Sequence, residues 1–374
     1  MDKSDLWTRH GRIAVVAAGL LSVSLAQAQY TASVLTPGSF GNGQGNGIAG
    51  DFVAGVGWTG TTNHALFWSG GSAADLNPTG YTFSTATGIT NSFQVGYGAG
   101  PSTGNNNHAL LWSGSAASVA DLNPAGFTTS NAFGIDGDYQ VGNGTGSATS
   151  GHMHALLWNG SAASFSDLNP SGYDNSEAYG VSGGFQVGDA HSTAFGNNHA
   201  ILWNGTAASA VDLNPSGFGE SYAAGVYSGV QVGYGDGTST GGSFHALVWA
   251  GTAGSAVDLN PGGFDTSWAY GAWGTLQVGV AKPASGEHHA FVWSGTAASG
   301  LDLSTFLTGL AYQGNPVTIT DSIAVGVDNA GNVIGYGFDA SQNEYAIRWD
   351  SAVPEPGSIL VLGLGAVALM RRRP

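Results

Sequence analysis

The 374-residue chain contains no cysteine and almost no positive charge outside its two ends. Residues 29–353 hold two basic residues, Lys282 and Arg348, against 21 acidic ones, a net charge of −19. Without cysteine, the fold gains nothing from disulfides and must depend on burial and hydrogen bonding. The negative charge repels phosphates and so disfavours nucleic-acid binding. It also repels acidic polysaccharide unless divalent cations bridge the two surfaces.

The sequence between the two ends also lacks a sustained 3.6-residue apolar period, which disfavours a helical fold. It has no G-x-S-x-G, H-E-x-x-H or P-loop pattern, no D-x-D-x-D-G calcium loop, and no pair of acids marked out for glycoside hydrolysis. We therefore expect no catalytic residue, no required cofactor and no metal site, apart from a weak calcium site to which Asp189 and Asp236-Gly237 would contribute from loops.

Glycine, in contrast, is abundant. It accounts for 63 residues and shows no collagen period. This share is well above the usual value of about 7%, and it indicates many tight turns between short strands.

The N-terminus predicts a secretory signal peptide over residues 1–28. An apolar run, residues 13–25, is followed by the small-x-small pattern Ala26-Gln27-Ala28. The positive charges before the run are Lys3, Arg9 and Arg12. This order predicts handling by the Sec translocon and cleavage by signal peptidase after Ala28, leaving Gln29 as the first residue. The alternative is a buried core helix.

Residues 353–374 combine three parts in order. Pro354-Glu355-Pro356 comes first, an apolar run over 359–370 follows, and Arg371-Arg372-Arg373 comes last. The prolines expose an extended segment, and the arginines retain the tail on the cytoplasmic side by the positive-inside rule. This tail resembles the PEP-CTERM sorting signal. The resemblance implies recognition by an exosortase-type enzyme and removal near Pro354, Glu355 and Pro356.

The length of the apolar run limits how it can hold a membrane. Twelve residues span about 18 Å as a helix, whereas the hydrocarbon core of a bilayer is about 30 Å thick. We therefore expect transient contact with the inner membrane before release, and a secreted or cell-surface location. The alternative is an ordinary C-terminal tail anchor.

An H-A-x-x-W pattern recurs through the middle of the chain at intervals of 44 to 46 residues. The six copies begin at His64, His108, His154, His199, His245 and His289. A degraded seventh copy begins at Tyr345. Each unit also carries a D-L-N-P-x-G element, an A-x-G element and a Q-V-G element, or variants of them. Four short strands in about 45 residues match a propeller blade.

The two ends of the array complement each other. Residues 34–40 resemble the D-L-N-P-x-G-F element, and the array stops after Trp349, which closes the seventh copy. The sequence therefore predicts an all-β, seven-bladed β-propeller over residues 30–350, closed by strands from both termini. An open β-solenoid is the alternative. The H-A-x-x-W units resemble the extracellular HAF-repeat family, which implies no particular activity.

Because the repeat histidines and aspartates recur in nearly every unit, we interpret them as hydrogen-bonding and turn-capping residues. We expect the repeat tryptophans in the core between blades. Trp268 and Trp273 depart from the repeat and are candidate ligand contacts that would stack on a sugar. The leading hypothesis is an exported structural or adhesive protein of the exopolysaccharide layer. Alternatives are a carbohydrate-binding propeller and, third, a propeller glycosidase or lyase.

Overall fold

Each repeat folds into one antiparallel sheet of four strands that follow one another along the chain. The computed structural model describes residues 30–191 and 196–352, and in this part the seven sheets form a seven-bladed β-propeller without α-helices. The fold predicted from the repeats is thereby confirmed. The expected signal peptide over 1–28 and the sorting tail over 353–374 lie outside the described residues. The described residues include no helix long and apolar enough to cross a membrane.

Blades 1 to 6 are numbered along the chain, and their strands run from the central axis outward. Blade 1 comprises Gly43–Ala49, Phe52–Trp58, Asn63–Ser69 and Ser72–Asp75. Blade 2 comprises Phe83–Ile89, Gln94–Ala99, His108–Trp112 and Ala120–Asp121. Blade 3 comprises Phe127–Asp136, Tyr139–Gly146, Met153–Asn159 and Ser166–Asp167. Blade 4 comprises Asn175–Ser182, Phe185–His191, Asn198–Trp203 and Val211–Asp212. Blade 5 comprises Phe218–Tyr227, Val230–Gly237, His245–Trp249 and Val257–Asp258. Blade 6 comprises Thr266–Trp273, Leu276–Lys282, His289–Trp293 and Leu301–Asp302.

Blade 7 takes its strands from both ends of the described chain. Its first three strands are Ile319–Val327, Val333–Asp339 and Glu344–Ser351, and its outer strand is Tyr30–Val34. A separate hairpin pairs Ala311–Tyr312 with Asn315–Pro316. Short 3-10 turns complete the architecture at Pro101–Thr103, Ala116–Ser118, Ser147–Thr149, Ala162–Ser164, Ala207–Ser209, Thr238–Thr240, Ala253–Ser255, Ala297–Ser299 and Leu303–Phe306.

The core lies between neighbouring blades rather than within one sheet. Trp112 of blade 2, for example, packs with Leu76 and Ala65 of blade 1. The seven repeat tryptophans, at most 3% exposed, are Trp68, Trp112, Trp158, Trp203, Trp249, Trp293 and Trp349. The prediction that they form the core is confirmed. Because each blade buries its large aromatic against the next one, no blade can complete its core alone.

The ring closes through the outer strand of blade 7. Tyr30 to Val34 pairs antiparallel with Ser351 to Ile347, so the N-terminal piece completes the C-terminal unit as the sequence predicts. A hydrogen bond joins the same ends, because the Ala346 amide donates to Thr36 Oγ1 at 2.9 Å. In blades 1 to 6 a serine on the next blade accepts from the equivalent amide, as Ser84 does from Ala65. At the closure Gly43 stands in the position of that serine, and Thr36 supplies the hydroxyl instead.

The glycine of the Q-V-G element is required by a β-bulge in the first strand of the same blade. In blade 3 the register shifts between Ala132 and Gly134, and a Cβ on Gly142 would lie 1.8 Å from the Asn131 carbonyl oxygen. The equivalent distance is 1.8 to 2.0 Å in every blade. The bulge therefore explains why each unit carries glycine at this position.

Gly142→Ala is expected to lower the free energy of unfolding by about 1–3 kcal/mol, because the backbone must move to accommodate the methyl group. Gly254→Ala is the matched control. Its Cβ would meet nothing within 4 Å, and most other units carry alanine there. We therefore expect the free energy of unfolding to stay the same or to rise by about 0.4–1 kcal/mol. Urea denaturation of both variants measures the difference. Equal losses in the two variants would contradict the role of the bulge.

Candidate functional site: a cavity at one end of the central channel

The central channel is lined by the A-x-G elements, or their variants, in the first strands of all seven blades. One glycine from each blade lines it: Gly47, Gly88, Gly134, Gly180, Gly225, Gly271 and Gly326. A Cβ on Gly134 would lie 2.7 Å from the Tyr179 carbonyl oxygen of the next blade, and a Cβ on Gly225 would lie 2.6 Å from that of Tyr270. Glycine at this position therefore allows the inner strands to approach closely enough to form a narrow channel of about 270 Å³.

A larger cavity of about 590 Å³ opens where the first strands turn into the second strands. It shares Ile48, Ile89 and Ile135 with the channel, so the two spaces are continuous. Its rim is polar and includes the exposed Asn91, Ser92, Asp138 and Asn329. A concave apolar floor with a polar rim has the form of a small-molecule site.

Trp273 lies on this rim and is 40% exposed. Its ring centroid is 4.3 Å from that of Tyr227 on the neighbouring blade, so one face of the indole is supported. Trp268 lies five residues earlier in the same strand, which at about 3.4 Å per residue puts it roughly 17 Å away. Trp268 instead lies near Phe244 and His288, with ring centroids 6.3 and 6.2 Å away. The two candidate contacts lie in a strand rather than in loops, and the structure does not bring them together.

Two aspartates at the cavity have defined structural partners. Asp136 Oδ2 accepts the Gly183 amide of the next blade at 2.7 Å. Asp328 is buried, and its Oδ1 accepts the amides of Ala330 and Asn332, both at 2.9 Å. Both carboxylates therefore hold turns at the cavity, whereas Asp138 is exposed on the rim.

The repeat histidines and aspartates form hydrogen-bonded pairs, and none of these residues lines the cavity. In each of blades 1 to 6, the histidine Nδ1 lies 2.6 to 2.7 Å from the aspartate Oδ2. The other aspartate oxygen caps a turn; Asp121 Oδ1, for example, accepts the Asn123 amide at 2.8 Å. Asn123 Oδ1 in turn accepts from Ser130 of the next blade at 2.7 Å. The hydrogen-bonding interpretation of these residues agrees with the structure.

The placement of Asp189 and Asp236 in loops was wrong. Asp189 lies in the second strand of blade 4 and Asp236 in that of blade 5, because the Q-V-G strands continue through both positions. Within residues 30–191 and 196–352, no three acidic or histidine side chains form a group that could hold a metal ion.

The sequence analysis missed an acidic pair in blade 4. Glu177 and Asp189 face each other across the first two strands. Burial, and then the nearby Glu177 charge, raise the pKa of Asp189 to about 7. Burial also raises the pKa of Glu177, against hydrogen bonds from Asn143 and Tyr179. The sequence feature that could have revealed this pair is Asp189, which directly follows the Q-V-G element at a position where the other units carry valine, tyrosine or asparagine.

Comparison with solved structures finds similarity of fold to parts of longer proteins. A puromycin hydrolase aligns with a TM-score of 0.56 and 12% identity, over 85% of this chain and 55% of that one. A puromycin-hydrolyzing peptidase from Mycobacterium tuberculosis aligns with a TM-score of 0.52 and 12% identity, over 87% of this chain and 58% of that one. The chain spans a little over half the length of these proteins, and identities this low show similarity of fold alone.

Sequence comparison identifies the C-terminal tail. Among curated proteins, no sequence matches this chain. The model of the PEP-CTERM protein-sorting motif matches residues 352–373, and this indicates a secreted or cell-surface protein with an exosortase-type sorting partner. The match begins directly after Ser351, the last residue of the closing blade. The chain thus joins a seven-bladed β-propeller to a PEP-CTERM protein-sorting motif.

Proposed function

We propose that this exported propeller is an adhesive protein of the extracellular polysaccharide layer, and that it contacts neutral glycan through the cavity beside Trp273. The observation that carries this proposal is the indole itself. It is 40% exposed at the mouth of the 590 Å³ cavity, and Tyr227 supports its ring. An exposed, held aromatic ring above polar groups is suited to stacking on a sugar ring while hydroxyls bond to the rim.

A binding role fits the propeller better than catalysis does. The six His–Asp pairs are nearly identical from blade to blade, whereas a catalytic site requires an asymmetric arrangement. At the cavity, Asp136 and Asp328 already accept backbone amides. The charge of −19 over residues 29–353 further favours neutral or cationic glycans over acidic ones.

Export and release complete the proposal. We propose cleavage after Ala28, brief retention at the inner membrane through Arg371-Arg372-Arg373, and removal of the tail near Pro354–Pro356 by the sorting enzyme. The propeller is complete at Ser351, because the outer strand of its last blade pairs with Tyr30–Val34. Both end signals can therefore be removed without taking a strand from the fold.

Trp273→Ala is expected to abolish glycan binding or to weaken it severalfold, because an aromatic stacking contact is worth about 0.5–1.5 kcal/mol beyond its buried area. The measurement is a glycan array on a protein comprising residues 29–353, followed by titration of any neutral oligosaccharide that binds. Trp58→Ala is the matched control, since Trp58 is 37% exposed and does not line this cavity. An array without any binding, or equal weakening in both variants, would refute the proposed contact.

A further inference from the structure

The acidic pair of blade 4 lies toward the start of the inner strands, at the end of the channel opposite the cavity. Asn143 Nδ2 of blade 3 donates to Glu177 Oε2 at 2.6 Å, so one carboxylate of the pair has a neutral donor. Asp189 is only 4% exposed; the Tyr179 hydroxyl hydrogen-bonds its carboxyl group, but Oδ1 itself has no hydrogen-bond partner. A buried carboxylate oxygen without a donor is costly. The site is therefore electrostatically incomplete as it stands.

A series of aromatic rings continues from this acidic pair around blades 5 and 6. Tyr222 stacks on Tyr234 with ring centroids 5.0 Å apart. Tyr234 contacts Phe244 at 5.7 Å, and Phe244 lies 6.3 Å from Trp268. Tyr222 and Trp268 lie in the first strands of blades 5 and 6. Tyr234 lies in the second strand of blade 5, and Phe244 directly precedes the third. Together the rings form a curved aromatic surface rather than one isolated contact.

The acids and the rings belong to one electrostatic environment. Burial, then the charges of Asp189, Glu220 and Glu177, raise the pKa of Tyr234 to about 12. The hydroxyl of Tyr222 donates to Glu220 Oε2 at 3.0 Å. The Tyr234 phenol therefore remains neutral at physiological pH, within the electrostatic influence of Asp189, Glu220 and Glu177.

A further acid, Asp321, lies at the far end of the rings. His288 is 6.2 Å from Trp268 between ring centroids, and its Nδ1 lies 3.1 Å from Asp321 Oδ2. Asp321 Oδ1 is buried and, like Asp189 Oδ1, has no partner. We call this surface the acid–aromatic arc: Glu177, Asp189, Glu220, Tyr222, Tyr234, Phe244, Trp268, His288 and Asp321.

We propose that the acid–aromatic arc binds a cationic amine, carried by an amino sugar of the extracellular polysaccharide or by a free polyamine. An ammonium group donates up to three hydrogen bonds, which complements a carboxylate oxygen that lacks a donor. Aromatic faces attract the same group through cation–π interactions and also stack on the apolar face of a sugar. Lys282 and Arg348 are the only basic residues of segment 29–353, and neither belongs to the arc.

The arc and the Trp273 cavity are at opposite ends of the channel, so each binding activity can fail without the other. The test is isothermal titration of residues 29–353 carrying Trp273→Ala, which removes the proposed neutral-glycan contact, with a glucosamine tetrasaccharide, its fully N-acetylated counterpart, and spermidine. We expect the glucosamine oligomer or spermidine to bind and the acetylated oligomer not to bind. The amine that binds identifies the source. Absence of binding by both amines, or equal binding of the acetylated oligomer, would overturn the proposal.

Two variants locate the binding. Asp189→Asn keeps the shape of the side chain but removes the charge, and we expect it to weaken amine binding at least tenfold. Asp51→Asn removes the same charge from an exposed turn of blade 1 that belongs to neither site, and we expect less than a twofold change. Trp268→Leu tests the aromatic part independently of Asp189 and is also expected to weaken binding. Unchanged binding in Asp189→Asn and Trp268→Leu, or displacement of the amine by stoichiometric Ca²⁺, would show that the arc is not an ammonium site.

Discussion

Replacing Trp349 with alanine is expected to lower the free energy of unfolding by about 3–5 kcal/mol, the usual loss for a fully buried tryptophan. Trp349 is 0% exposed and packs in the cluster that joins blades 6 and 7. Its Nε1 donates to the Leu303 carbonyl oxygen at 3.2 Å. The strand that carries it also pairs with Tyr30–Val34, so this residue stabilises the sheet that closes the ring.

The size of this loss tests the closure itself. Urea denaturation, followed by intrinsic fluorescence, should show a single transition at lower urea for Trp349→Ala. Removal of residues 30–34 should destabilise the protein further, because it leaves residues 347–351 of the third strand of blade 7 without a partner strand on that side. Trp273→Ala is the control: the side chain is 40% exposed, so a change within about 1 kcal/mol is expected. If Trp349→Ala lost no more stability than this control, the described closure would be wrong.

The raised pKa of Asp189 should make the protein less stable as the pH rises. Its pKa is raised from 3.8 to about 7, because burial and then the Glu177 charge disfavour the ionised form. The folded protein therefore binds more protons than the unfolded chain between these values. Stability from this group falls as the pH rises from about 4 to about 7, by up to about 4 kcal/mol.

The measurement is the free energy of unfolding of wild type and Asp189→Asn between pH 4 and 8. As the pH rises, the free energy of unfolding of Asp189→Asn should increase relative to that of wild type, and the difference should level off above about pH 7. Asp339→Asn is an opposite control. Burial works against its lowered pKa, but hydrogen bonds from Asn343, Ser341 and Tyr345 prevail. The stability that Asp339 contributes is present above its unfolded pKa and is lost as the pH falls below about 4, so this variant is measured from about pH 2 upward. A flat difference for Asp189→Asn would contradict the raised pKa of this buried carboxyl group.

Much of the fold could be predicted because repetition makes each position informative several times over. The recurring H-A-x-x-W units and the complementary ends at Val34 and Trp349 predicted seven blades and the pairing of the two termini. The roles of the repeat histidines, aspartates and tryptophans followed from the same regularity. The repeat pattern carries no information about acids that occur in a single unit. It therefore could not reveal that Glu177 and Asp189 face each other across two strands.

The candidate sites depend on positions that differ from the repeat, and their neighbours come from other blades. Trp268 and Trp273 were correctly recognised as departures, yet a single strand carries them to opposite ends of the channel. Asp189 was assigned to a loop, but the second strand of blade 4 extends through it. Sequence spacing measures distance along the chain and does not report distance across the axis.

The sequence by itself determined the repeat number, the order of the strands, the closure of the ring and the sorting motif at residues 352–373. These follow from local hydrogen-bonding patterns and from motifs that are contiguous in the chain. Only the tertiary structure decided that Trp273 lines a cavity with residues from five blades, and that Asp189 is buried beside Glu177 and the rings of blade 5. Burial and electrostatic interaction depend on which side chains converge around the axis, and that convergence exists only when all seven blades are assembled.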